Sequence, residues 1–226
     1  MKIFATLLFS TISTFILSAA PINKSYVAKE AKWVLHIDTD RFEDTAIGKF
    51  ATAQLNALMK KEIESLPIGI DVEAILNDLN SVTAYGYTFE ENPEKNSVLI
   101  ISAGEQLQAI IDAFAANEEM NAEEGESCIN VLDNTPHRTY LIDNEVYMSF
   151  PSQDLTIISK SLEQIEKTLR VIEGKEENLI DSKSTLVIEQ DRGFFLLASV
   201  QGLDGIKNMP PQARILNKAS GGQFSL

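Results

Sequence analysis

The chain is organised around one stretch, Trp-Val-Leu-His-Ile-Asp-Thr-Asp at residues 33–40. Its apolar, β-branched and aromatic residues predict a buried strand that runs directly into a helix. Because successive side chains of a strand point to opposite sides, this strand has two distinct faces. One face carries Trp33, Leu35 and Ile37, and the other carries Val34, His36 and Asp38.

The same stretch holds our first candidate for a chemical site. His36, Asp38 and Asp40 are two residues apart, so an extended chain would place their side chains on one side at intervals of about 7 Å. If the strand bends at its end, the three groups could bind a divalent cation. In the structural alternative, Asp38 and Asp40 end the strand and cap the following helix, and His36 packs beside a neighbour. The stretch is not an EF-hand loop, because it lacks that loop's glycine at position six and glutamate at position twelve.

An enzymatic interpretation of this stretch finds little further support in the sequence. Asp38-Thr39-Asp40 resembles the first motif of haloacid-dehalogenase-type phosphatases, in which the first aspartate is the nucleophile. Arg41 and Phe42 stand where that family has small turn residues, and no later Gly-Asp pair supplies its magnesium ligands. The chain also contains no Gly-x-Ser-x-Gly elbow and no Walker-type phosphate loop.

Composition restricts the classes of partner. The 226-residue chain is 44% hydrophobic, which is enough for a sizeable core, and its formal net charge is −14. Binding to a nucleic acid backbone or to anionic lipid requires clustered basic residues, so the charge argues against both. Cationic partners, including divalent metals, remain allowed, although acidity that keeps the protein soluble is the simpler explanation.

Residues 1–20 have the features of an export signal. A basic start at Lys2 precedes an apolar run that ends in the small residues Ser18, Ala19 and Ala20. Cleavage after Ala20 would place Pro21 beside the cut, so cleavage after Ala19 is slightly favoured. A membrane anchor is the alternative, but the run is short for a span. We therefore expect an exported protein, periplasmic or extracellular, with no membrane span after cleavage and a flexible leader over residues 21–32.

Cys128 is the only cysteine, so no disulfide can form within one chain. We expect it to lie near a strand as a partly covered small residue. The sequence leaves open whether its thiol is free or bridges two chains.

The remaining pattern alternates short apolar strands with helices. We predict helices at 47–63, 71–79, 104–114 and 162–172, and strands at 81–89, 97–102, 138–142, 145–150, 155–159, 193–200 and 213–216, with the start of another at 221–226. This order predicts an α+β fold: a mainly antiparallel sheet with helices on one face, fitting two tandem ferredoxin-like (split β-α-β) units. We expect the first unit at 33–142 and the second at 143–226, incomplete at its C-terminal end.

Three local signals can be compared directly with a structure. Asp143-Asn144 predicts a tight turn, and Ser161 with Gln164 predicts a capping box that ends its helix at Gly174. Tyr85, Tyr87 and Phe89 alternate on one strand face, where a core or helix-covered position is favoured over a carbohydrate-stacking surface.

The export signal, the stretch from Ala31 to Asp38 and the helix with Ile47-Gly48-Lys49-Phe50 together resemble the opening of uncharacterised exported bacterial proteins. The strand and helix from Leu155 to Gly174 are similar as well. The resemblance implies ferredoxin-like α+β repeats and export, and it supplies no catalytic residues.

Two functions therefore remain as hypotheses. The first is an exported non-enzymatic protein that binds a protein or envelope component through an exposed sheet face or edge. The second is a metal-dependent hydrolase or divalent-metal-binding protein centred on Asp38 and Asp40, with His36 as a further ligand. The first is favoured because the sequence contains no catalytic constellation; it implies no cofactor and no catalytic residue.

Overall fold

The computed structural model describes residues 20–63, 72–89, 92–121, 128–180, 186, 193–205 and 218–226. Residues 1–19 of the expected export signal lie outside the described residues, as does the strand expected at 213–216.

The described residues form nine strands and five α-helices. The strands are β1 (Trp33–Asp38), β2 (Leu79–Gly86), β3 (Ser97–Ala103), β4 (Ile129–Val131), β5 (Arg138–Ile142), β6 (Val146–Ser152), β7 (Leu155–Ser159), β8 (Leu196–Gln201) and β9 (Gly221–Ser225). The helices are α1 (Thr39–Asp44), α2 (Ala46–Ile63), α3 (Val72–Asn77), α4 (Gln106–Asn121) and α5 (Leu162–Ile172).

All nine strands belong to one sheet, in the order β4-β5-β6-β7-β3-β2-β1-β8-β9. Each neighbouring pair is antiparallel. The predicted α+β class with a mainly antiparallel sheet is therefore confirmed. β1 lies between β2 and β8, so the stretch that opens the fold has a hydrogen-bonded partner on each side.

The two faces of β1 alternate as predicted, but the more polar face is the buried one. Val34, His36 and Asp38 are buried, whereas Leu35 on the other face is 37% exposed. The reason lies in the packing of α5, whose Ile165 contributes to the core on the same side as Val34.

The main core lies between this face of the sheet and α5. Tyr85 and Ile157 of the strands pack with the fully buried Val27 and Ala28 of the N-terminal segment. Ala28 also forms an isolated bridge with Asn178. The segment 21–32, expected to be a flexible leader, thus differs from that expectation: it contributes to the core, because its small apolar residues close the space beside α5.

A second core lies on the opposite face of the sheet. Ala115 of α4 packs there against Tyr140 of β5 and Phe150 of β6. The register pairs Tyr140 with Met148 and Met148 with Ile158, which places them on the Leu35 side. Helices therefore contact both faces, whereas the sequence indicated one, because the alternation of a strand does not say which helix covers which side.

The expected boundary between two units falls inside a hairpin. Residues 142 and 143 lie at the turn between β5 and β6, and Asp143 and Asn144 both have positive φ, as the tight-turn prediction requires. β7, from the expected second unit, pairs with β3 of the first. The two segments therefore share one continuous sheet.

Candidate functional site

Asp38, the first predicted ligand, is a buried anchor at the end of β1. Its side chain is 1% exposed, and its Oδ1 accepts a hydrogen bond from the Arg41 backbone N–H at 3.1 Å, which caps α1. Its Oδ2 accepts from the Ala20 backbone N–H at 3.1 Å and lies 3.5 Å from Arg41 Nε. A carboxylate with these partners is positioned to hold backbone and neutralise Arg41.

His36 points into the same buried space and is held at both ring nitrogens. Its Nε2 lies 3.0 Å from the Ala20 carbonyl oxygen, and its Nδ1 lies 2.9 Å from Thr83 Oγ1. Because a carbonyl oxygen can only accept, Nε2 carries the proton of this bond. His36 and Asp38 therefore meet at one point, the backbone of Ala20.

Asp40 lies apart from them, in the first turn of α1. It lines a pocket of about 590 Å³ between α1 and α2, together with Glu43, Asp44 and Lys49. Burial raises the pKa of the Asp40 carboxyl above its ordinary value, and the negative charges of Asp38 and Asp44 add to that effect. We call this region the acidic pocket.

The three predicted metal ligands are thus divided between two places. Across the described ranges, no group of three or more histidine, cysteine, aspartate or glutamate side chains is placed so as to hold a metal ion. The predicted capping role of Asp38 is confirmed by its bond to Arg41 N.

The most exposed large apolar side chains near this region lie on α2. We name them the α2 stripe: Ile47 (71% exposed), Phe50 (68%), Leu55 (45%) and Leu58 (63%). At 3.6 residues per turn they fall within about 140° of the helix surface. The sequence pattern revealed this spacing, but not that the stripe would face solvent.

The reason for this orientation lies in how α2 meets α1. Gly48 approaches Phe42 so closely that an added Cβ would lie 1.7 Å from the Phe42 carbonyl oxygen. Thr52 Oγ1 donates to Glu43 Oε1 at 3.3 Å. The glycine and threonine flank of α2 therefore packs on α1, which leaves the apolar stripe outside. Gly48 between apolar residues was the available sequence signal.

A second, shallower apolar surface lies on the Leu35 face of the sheet. Trp33, Ala84, Leu99 and Ile158 line a pocket there of about 260 Å³. Phe224 on β9, in register with Ala198 of β8, is 54% exposed at the same face. This surface fits the expected exposed sheet face, although Phe224 is less exposed than Ile47, Phe50 and Leu58 of the α2 stripe.

The first two rings of the predicted aromatic row, Tyr85 and Tyr87, pack in the core, as the sequence favoured. Tyr85 is fully buried, and its hydroxyl lies 2.9 Å from Thr168 Oγ1 of α5. Tyr87 packs against the same core, and the Lys167 ammonium lies 4.1 Å from its ring centroid. Burial raises the pKa of both tyrosines. These two rings offer no stacking surface for a carbohydrate.

Cys128 is exposed at the start of β4, where its carbonyl oxygen accepts from the Asp143 backbone N–H.

Comparison with known proteins gives no family for this chain. No protein-family model matches it, and no curated protein matches it. Crystal form III of TP0453 is similar with a TM-score of 0.43 and 12% identity, over 89% of this chain and 68% of that one. Crystal form IV of TP0453 gives a TM-score of 0.44 and 14% identity, over 87% and 72%. Values this low carry no inference about a site or an activity.

None of the helices in the described segments is both long enough and apolar enough to cross a membrane.

Proposed function

We propose that this is an exported, non-enzymatic binding protein whose partner is a protein segment or envelope component that docks on the α2 stripe. The observation that supports this most directly is the exposure of the four large apolar side chains on one face of α2. Contiguous exposed apolar surfaces of this kind are typical of interaction sites.

The acidity of the chain favours a basic partner. Asp40, Glu43 and Asp44 line the acidic pocket at the junction of α1 and α2, and Lys49 is the one basic residue among the pocket's lining. An anionic lipid surface or a nucleic acid would be repelled by these carboxylates and by the net charge of −14. A cationic, amphipathic protein segment complements both the apolar stripe and the negative charge of the chain.

Site-specific crosslinking tests the proposal. Benzoylphenylalanine placed at Phe50 in the full chain, expressed in its native cells, should form one discrete adduct upon illumination. The matched control carries the same group at Ile180, which is also apolar and 62% exposed but lies away from α2. Equal adducts from both positions, or none from Phe50, would reject the α2 stripe as the binding surface.

Two charge substitutions test whether the partner is cationic. Leu58→Glu should abolish the Phe50 adduct because it places a charge in the stripe. Asp44→Lys should weaken the adduct because it reduces the negative charge that attracts a cationic segment. If Asp44→Lys strengthens the adduct, the partner has an acidic rim and the proposed complementarity is wrong.

The divalent-metal alternative is tested by a thermal melt of the exported protein with calcium, magnesium, manganese or zinc, and then with chelator. A ligand of the folded state raises stability by about 2.7 kcal/mol at a hundredfold excess over its dissociation constant. A metal-specific rise that disappears in an Asp38→Asn, Asp40→Asn variant would move the function to metal binding.

A further inference from the structure

The backbone of Ala20 is held at both of its polar atoms by buried side chains of β1. Asp38 Oδ2 accepts from Ala20 N at 3.1 Å, and His36 Nε2 donates to Ala20 O at 3.0 Å. Both side chains are at most 5% exposed. Two buried polar residues 16 and 18 positions away thus fix one alanine at the edge of the leader.

This alanine is also the residue at which the sequence places the end of the export signal. Pro21 disfavours cleavage after Ala20, which leaves the Ala19–Ala20 bond as the preferred cut. We propose that the export signal, residues 1–19, is removed by cleavage between Ala19 and Ala20, and that the new α-ammonium group of Ala20 pairs with the buried Asp38 carboxylate.

The chemistry of the cut explains why a carboxylate suits this position. A leader peptidase adds water across the amide, so Ala19 departs with a carboxylate and the Ala20 nitrogen becomes a protonated amine. The single N–H donor to Asp38 is thereby replaced by a positively charged group with three donors. The carboxylate already makes the existing bond charge-assisted, and the ammonium group adds a full positive charge on the donor side.

The burial of Asp38 makes a positive partner for its carboxylate important. A buried carboxylate requires a compensating positive charge. Arg41 Nε lies 3.5 Å from Asp38 Oδ2, the same oxygen that accepts from Ala20 N. The α-ammonium group would supply a second positive charge directly at that oxygen. Processing would therefore strengthen a contact that the unprocessed chain already makes at Ala20.

The first test is the N-terminus of the protein exported from the full chain of residues 1–226. Edman sequencing and intact mass should give Ala20 as the first residue. A first residue of Pro21, or any start that leaves Ala20 absent or within a longer chain, overturns the proposal.

The second test measures the pairing itself on that exported protein. Acetylation of the Ala20 amine by an amine-selective reagent should be about tenfold slower in the folded protein than in the same chain unfolded in urea. Asp38→Asn should restore fast labelling, because asparagine still caps α1 but carries no charge. The matched control is Asp44→Asn, which removes an exposed charge of the same helix and should leave the labelling slow.

Equal labelling of folded and unfolded wild-type chains overturns the pairing without reference to any variant, so the test survives if Asp38→Asn fails to fold. The inference depends on the export signal and not on the α2 stripe. Either the pairing of Ala20 with Asp38 or the binding at the α2 stripe can therefore fail while the other holds.

Discussion

Asp38 has a structural role, although its neighbours in the sequence suggest a metal ligand. The aspartate and His36 lie two residues apart on one strand face, as a metal site would require. The structure uses both to hold Ala20 instead, with Asp38 also capping α1. Asp40 does not lie on the same face as His36 and Asp38, because the chain becomes helical at Thr39.

The buried pair Tyr85 and Thr168 allows a sharp prediction at this scale. Thr168 donates its only hydroxyl proton to the Gln164 carbonyl at 2.8 Å, so Tyr85 must be the donor in its bond to Thr168. Thr168→Val leaves that buried phenol without its acceptor and should cost about 1–3 kcal/mol in urea unfolding. Tyr85→Phe removes the donor instead and should cost less. A larger loss for Tyr85→Phe would contradict this assignment of donor and acceptor.

Asp40 gives a prediction for pH dependence. Burial raises its pKa in the folded protein, so the folded state binds the proton more tightly than the unfolded state does. Ionisation of Asp40 therefore lowers stability as the pH rises above the ordinary value of 3.8 and through the raised folded pKa. Asp40→Asn should increase the free energy of unfolding at pH 7, and this gain should shrink toward pH 4.

The control for this measurement is Glu94→Gln, which removes one exposed negative charge elsewhere on the chain. It measures how much stability the protein gains when any one negative charge is removed from a chain of net charge −14. A gain for Asp40→Asn that is no larger than that of Glu94→Gln, or that persists unchanged at pH 4, would exclude a special environment for Asp40.

At the scale of elements, the contact of β1 with β2 depends on a glycine. Gly86 lies opposite Trp33, and an added Cβ would lie 2.5 Å from Trp33 Nε1. The indole occupies that space and donates to the Thr88 carbonyl at 3.3 Å. The sequence offers no reason for a glycine inside this strand until the ring is placed over it.

Gly86→Ala should therefore displace the indole and destabilise the protein by about 1–3 kcal/mol. Trp33 is the only tryptophan, so its emission reports the displacement directly. Gly222→Ala in β9 is the matched control, because no atom lies within 4 Å of its added Cβ. The packing explanation is wrong if Gly86→Ala leaves the emission and the stability unchanged, or if Gly222→Ala changes both as much.

The sequence predicted the C-terminal end of α5 correctly but not the cap at its N-terminal end. Gly174 has a positive φ of 70°, as expected of a residue that ends α5. The capping box at its start is absent: Ser161 makes no side-chain cap bond, and its own N–H donates to Ser159 Oγ. A hydroxyl on the preceding strand satisfies the backbone there, a competition that the local motif cannot reveal.

On the scale of the whole molecule, the sheet order predicts how hydrogen exchange is distributed. β2 lies between β1 and β3, whereas β4 and β9 each have one partner among the described strands. Amides of β2 should exchange the slowest and those of β4 and β9 the fastest, because edge strands open without disrupting the core. Mass spectrometry of peptides from the exchanged protein measures this order.

Protection of β9 equal to that of β2 would contradict the prediction and indicate that the β9 edge is covered in solution. β4 supplies the internal comparison, since it is the opposite edge of the same sheet. A covered β9 would redirect the search for a partner from the α2 stripe to the sheet edge.

The sequence by itself determined most of the described elements of this protein, but not β4. Alternating apolar residues encode strands, helical spacing encodes α2 and α5, and Asp143-Asn144 encodes the turn between β5 and β6, because each depends on neighbours within a few residues. From those elements the α+β class followed. The export signal and the ferredoxin-like repeat stay predictions.

Only the tertiary structure decided which faces are covered. It buried His36 and Asp38, brought Val27 and Ala28 into the core, and turned the α2 stripe to solvent. These outcomes depend on contacts between residues far apart in the chain, such as Gly48 on Phe42 and Ala20 on Asp38. Periodicity specifies that a helix or strand has an apolar side, but the free energy of packing the whole chain selects what lies against it.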